Sequence, residues 1–129
     1  MASELKVDKF TGVTTAGSIV VTSGSTTTNL QQGLCKFWTQ TVGSGTVSNN
    51  DSFNSSGLTD NGTGDYTHTF TNAMGNNDYS AVGMAIGSTH SSHYNETNTL
   101  TTSFRQLIRS HTSDTDAELL SLQICGDLA

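Results

Sequence analysis

The chain contains no proline, only two cysteines, and five basic residues against eleven acidic ones in 129 positions. Aromatics make up 7% and charged residues 12% of the chain. Each shortage excludes something. Five Lys and Arg under a net charge of −6 leave no electrostatic footprint for nucleic acid. No apolar run approaches the roughly 18 residues of a membrane-spanning helix. The opening Met1-Ala2-Ser3-Glu4-Leu5-Lys6-Val7-Asp8 has no hydrophobic core of signal-peptide type, so synthesis in the cytoplasm is expected. Cys35 and Cys125 stand 90 positions apart without C-x-x-C spacing. One bridge between them is arithmetically open, but two buried thiols acting as small hydrophobes is the favoured reading.

What fills the chain is Thr (22), Ser (17), Gly (13) and Asn (10), nearly half of all residues. Leu, Ile, Val and Phe total 26, close to the composition of disordered chains, yet the net charge is too small for that class. Thr suits a pleated, half-exposed strand, so the composition predicts an all-β fold with a thin core. Such a core gains from neighbouring copies. The length fits one domain.

Residues 1–33 read as an extended N-terminal arm and linker. A strand is expected near Ile19–Thr22, a flexible linker at Ser23–Thr28, and a short helical turn at Asn29–Leu34. From residue 34 to 129 the period is two. Lys36–Val42 alternates, and Tyr66, His68 and Phe70 share one face of the next clear strand. Further strands are expected over Tyr79–Gly87, Leu100–Ser110 and Ala117–Cys125. Turns or loops are expected at Gly43–Gly45, Asn49–Asp51, Asp60–Asp65, Asn72–Asp78, His90–Thr97 and Thr112–Asp116. Seven or eight short strands at near-regular spacing predict an antiparallel β-sandwich or jelly-roll-like domain.

Candidate chemistry is sparse. His90 and His93 stand three apart in what reads as a polar loop, with no third or fourth metal ligand evident. Asp60-Asn61-Gly62-Thr63-Gly64-Asp65 has the oxygen donors of a calcium loop but not its full ligand set, and an ordinary tight turn explains it better. No G-x-S-x-G elbow occurs, and nothing places Cys35 beside His68 or His111. An enzyme is therefore disfavoured, and no metal or cofactor is expected. The sequons at Asn54, Asn61 and Asn95 are what so Asn-, Ser- and Thr-rich a chain produces by chance. Trp38, Tyr66, Tyr79 and Tyr94 could stack on sugar rings, although Trp38 beside Phe37 reads better as a core or subunit contact.

Several blocks resemble short virion proteins of aquatic tailed bacteriophages. They are Leu5-Lys6-Val7-Asp8 leading into Thr14–Ile19, Thr27–Trp38, Asp51-Ser52-Phe53-Asn54, and Leu58–Thr67 followed by Phe70–Met74 and Tyr79. The resemblance spans about residues 4–87, and Asp60–Thr67 is its most specific string. It implies a β-rich, oligomeric virion surface component without catalytic residues. Within that group, an arm plus one compact β domain fits a capsid cement or decoration protein on the outer surface of the particle. Its partners would be the major capsid protein and copies of itself, as a homotrimer. The alternative is a tail-fibre or tail-tip protein that binds a host glycan receptor. Expected interface residues are Phe10, Val13, Ile19, Val20 and Val21 on the arm, with Leu30, Phe37 and Trp38 anchoring it to the domain or to a sister subunit.

Overall fold

The computed structural model describes residues 6–9, 11, 19–30, 33–86, 89–94 and 98–126. Eleven strands follow one another: β1 (Val20–Ser23), β2 (Thr26–Asn29), β3 (Cys35–Val42), β4 (Ser48–Phe53), β5 (Ser55–Gly62), β6 (Asp65–Phe70), β7 (Ser80–Ala85), β8 (His90–Tyr94), β9 (Ser103–Ser110), β10 (Ser113–Asp114) and β11 (Leu120–Cys125). No α-helix occurs among the described residues. One sheet has the order β4-β3-β11-β7; the other runs β5-β6-β9, with β8 and the short β10 also paired to β9. All pairings are antiparallel. The protein is thus an antiparallel, sandwich-like all-β fold.

Period-two alternation explains where the core sits. Phe37, Thr39 and Thr41 on β3 and Leu120, Leu122 and Ile124 on β11 turn inward from one sheet. Tyr66, His68 and Phe70 on β6 and Phe104, Gln106 and Ile108 on β9 meet them from the other. The apolar members form two clusters. Phe37, Phe70, Met74, Phe104, Leu122 and Ile124 make the larger one, and Tyr66, Ile108, Ala117 and Leu120 the other. Each large side chain removed from water contributes about 1.5–3 kcal/mol, and nine of these ten positions, all but Ala117, are of that kind.

Polar side chains fix the corners. Asn54, with φ at 62°, joins β4 of one sheet to β5 of the other. Its side-chain amide donates to the carbonyls of Lys36 and Asn72, and its Oδ1 accepts from Asn72 N at 2.7 Å. Asn54 therefore serves the corner, since Asn tolerates left-handed backbone geometry and its amide satisfies the groups that the bend leaves open. At the β5–β6 hairpin, Gly64 has φ at 66° and donates its N–H to Asp116 Oδ1 at 2.7 Å. The Asp60–Asp65 stretch is a hairpin end, in which Asp60 Oδ1 accepts from Gly62 N at 2.9 Å.

Four expectations are corrected. The Ser23–Thr28 linker is the turn of a hairpin: β1 pairs with β2 in register from Val20↔Asn29 to Ser23↔Thr26, around Gly24 at φ 62°. The β-branched residues on both sides favour that pairing. The turn expected at Asn49–Asp51 is continuous strand, because Asn50 is accommodated as the extra residue of a β-bulge against Gln40 and Thr41. The His90–Thr97 loop is strand from His90 to Tyr94, held along β9; residues 95–97 lie outside the described set. The Thr112–Asp116 turn includes the two-residue β10, paired with Ser110 and Arg109 of β9.

Candidate functional surface

β7 reverses the usual alternation. Its small residues, Ala81, Gly83 and Ala85, face inward, and its large ones, Val82 and Met84, followed by Ile86, face out at 67%, 70% and 58% exposure. The cause lies beneath Gly83. A Cβ there would collide with Ser92 Oγ and come within 2.8 Å of Gln106 Nε2, so the inner side has no room for a larger residue. On the same outer face, register places Phe53, Trp38, Gln123 and Val82 in one row across the four strands. Phe53 is 52% exposed and Trp38 38%. The next row is Asp51, Gln40, Ser121 and Met84. Between the rows and Ile86 lies a shallow groove bordered by Met84, Ile86, Leu119 and Gln40. Among the described residues β7 is also an edge strand, paired with β11 alone. Large apolar side chains on the outer face of a free edge are what soluble chains usually avoid unless a partner covers them.

The residues expected at an interface are distributed differently. Phe37 is fully buried, its ring 4.9 Å from that of Phe70 and 5.9 Å from that of His68. It is a core residue of this chain and not a surface anchor, because it shares strand parity with Thr39 and Thr41. Trp38, one position on, faces outward beside Phe53. Val20 and Val21 are half exposed on the β1–β2 hairpin, whose base is closed by Leu30 N donating to Ile19 O at 2.9 Å. Phe10 and Val13 lie outside the described residues. Of the expected residues that are described, Trp38 alone joins the apolar face. Phe53, Val82, Met84 and Ile86 were not anticipated, although the small-large alternation of Ala81–Ile86 carried the signal.

A second feature opens where β7 begins and β8 ends. A cleft of about 370 Å³ is lined by Asn77, Asp78, Ser80, Tyr94, Thr99 and Phe104. An aromatic series runs to it from the core: Phe70 to Tyr79 at 6.0 Å, Tyr79 to Phe104 at 6.3 Å, and Phe104 to Tyr94 at 6.4 Å between centroids. Tyr79 donates its hydroxyl hydrogen to the carbonyl of Leu100 (3.0 Å) or Ser103 (3.2 Å), and burial pushes its pKa up to about 12. Tyr94, at the outer end, is 62% exposed.

Beneath the β7–β8 seam lies a buried polar chain. Gln106 Nε2 donates to Ser92 Oγ at 2.9 Å and to the Ser121 carbonyl at 3.3 Å. A carbonyl can only accept, so the amide nitrogen must point that way and Oε1 must face His68. His68 Nε2 then carries the proton of the 3.1 Å bond to Gln106 Oε1, which leaves Nδ1 buried without a partner. Burial holds the His68 pKa down at about 4, against a smaller raising effect of the Gln106 bond. In the second cluster, the Tyr66 hydroxyl lies 2.5 Å from Gly43 O and 3.0 Å from Asp116 Oδ1, and burial, then Asp116, raises its pKa. Arg105 forms a two-bond pair with Asp65 and holds the Asp65 carboxyl below its ordinary value.

The metal candidates do not assemble. His90 and His93 lie three apart on a strand, hence on opposite faces, with Nδ1 of His90 donating to Ile86 O and Nε2 of His93 bonded to Ser91 Oγ. Asp65 of the calcium-like string is committed to Arg105. No group of three or more His, Cys, Asp or Glu side chains suited to a metal occurs among the described residues. No protein-family model matches the chain, and no curated protein or solved structure matches it.

Proposed function

We propose that the protein is a non-enzymatic structural component of a bacteriophage virion, a capsid decoration protein that binds the outer shell and stabilises it. The observation that carries this reading is the outward apolar row on β7, continued by Trp38 and Phe53 across the sheet. In a chain so rich in Thr and Ser, these large apolar side chains stand exposed, uncovered by any other described residue. Covered by a shell protein or by sister copies in a trimer, each would contribute about 1.5–3 kcal/mol. Repeated over many sites, small interfaces of that kind add up to firm attachment. The resemblance of residues 4–87 to virion surface proteins supports the same assignment. The arm with its β1–β2 hairpin supplies a second contact to neighbouring capsid subunits.

The test is rebinding to particles stripped of the protein. The wild-type chain is expected to rebind to saturation. A chain carrying Val82→Ser, Met84→Ser and Ile86→Ser is expected to bind at least tenfold more weakly while remaining folded. Removal of residues 1–33 should also abolish saturation. Full occupancy by both variants would remove the reading.

A second reading, a tail-fibre or tail-tip protein that binds a host glycan, is favoured by the cleft beside Tyr94. A half-exposed aromatic ring backed by buried rings, with Asp78 and Asn77 alongside, offers a face for a sugar ring and acceptors for its hydroxyls. Tyr94→Ala should abolish any glycan signal on a printed array; binding that survives this change would rule the cleft out.

A further inference from the structure

Cys35 is the first residue of β3 and Cys125 the last of β11, and the fold makes them register partners at one end of the two central strands of the four-stranded sheet. Ninety positions of sequence separate them. Residues directly opposite on antiparallel strands have Cα atoms about 4.5–5.5 Å apart, within the roughly 4.4–6.8 Å that a disulfide spans. Regular ladders often aim such pairs poorly, but here the ladder is irregular. The register passes from Ile124↔Phe37 to Cys125↔Cys35, leaving Lys36 as an extra residue that bends β3 at this point. Cys35 Sγ lies 3.0 Å from Phe37 O and 3.5 Å from Ile124 O, the carbonyl of the peptide that leads into Cys125. Its sulfur therefore already sits over the β3–β11 ladder beside its partner's backbone. Both residues are partly buried free thiols.

We propose that Cys35 and Cys125 are an oxidisable pair that closes a disulfide between β3 and β11 without unfolding of the sandwich. With a small disulfide such as oxidised glutathione as co-reactant, one thiol loses its proton and attacks a glutathione sulfur. That step forms a mixed disulfide and releases one glutathione thiolate. The second cysteine, deprotonated in turn, attacks the protein-bound sulfur, forms the Cys35–Cys125 bond and releases the second glutathione. Two protein thiols are oxidised and one disulfide is reduced to two thiols. The hydrogen bond that the Cys35 S–H donates to Phe37 O or Ile124 O is given up. The resulting loop encloses β3 to β11, the whole sandwich apart from the β1–β2 hairpin.

The test uses the folded, full-length protein with oxidised glutathione at mildly alkaline pH without denaturant. Free thiols are then blocked and the protein is analysed by non-reducing mass spectrometry. The expected product is two hydrogens lighter than the starting protein and yields a peptide joining Cys35 to Cys125. The cross-link should raise Tm by roughly 10 °C, because so long a loop strongly restricts the unfolded chain. Dithiothreitol should reverse the gain. Cys125→Ser should stop at the single glutathione adduct on Cys35. A wild-type protein that only accumulates glutathione adducts, or cross-links only after denaturation, would overturn the proposal.

Discussion

Acidification should weaken this fold through a single buried side chain. His68 is fully buried, its Nδ1 has no hydrogen-bond partner, and its pKa is held at about 4 against an ordinary 6.5. The folded-state value is the lower one, so the unfolded chain takes up the proton first as pH falls. The His68 contribution is complete above pH 6.5 and is lost as pH descends from there toward 4. At about 1.4 kcal/mol per pH unit, the full loss is about 3 kcal/mol, of which about 2 kcal/mol has gone by pH 5. Urea unfolding at pH 7.5, 6.0 and 5.0 measures this directly when wild type is compared with His68→Gln. The substitution lowers stability at every pH, since it disturbs the packing on Phe37, but it should remove about 2 kcal/mol of the difference between pH 7.5 and pH 5. Carboxylates and the other histidines affect both proteins alike and cancel in the comparison. Equal slopes for the two proteins would show that His68 is not buried as a neutral ring.

Two further substitutions probe the same framework. Gly83→Ala should cost about 1–3 kcal/mol by overpacking against Ser92 and Gln106; Ser92→Ala in that background should recover part of the loss in denaturant melts, and an innocuous Gly83→Ala would contradict the packing of the seam. Tyr66→Phe should cost about 1–3 kcal/mol, because Gly43 O and Asp116 Oδ1 lose a buried donor; an unchanged Tm would mean that water replaces the hydroxyl.

Strands with one apolar face were legible in the sequence. Tyr66, His68 and Phe70 alternate with threonines, and β6 places them inward as that pattern requires. Polar edge strands were not. His90–Tyr94 has no apolar face and owes its extended form to β9 rather than to its own residues. Asn49-Asn50-Asp51 has turn chemistry, but a bulge beside Gln40 absorbs it. The apolar face is legible only in part. The small-large alternation of Ala81–Ile86 puts Val82, Met84 and Ile86 on one face, but which face is outward follows from Gly83 meeting Ser92 and Gln106, a contact between distant segments. Phe37 and Trp38 are adjacent and both aromatic, and only the parity of β3 separates the core residue from the surface one.

The proposed decoration of a capsid fixes the stoichiometry of this chain in the particle. Quantitative mass spectrometry of purified particles gives the ratio of this chain to the major capsid protein. A capsid decoration protein should give a ratio near one. A few copies per hundred capsid subunits would place the protein on the tail and contradict it.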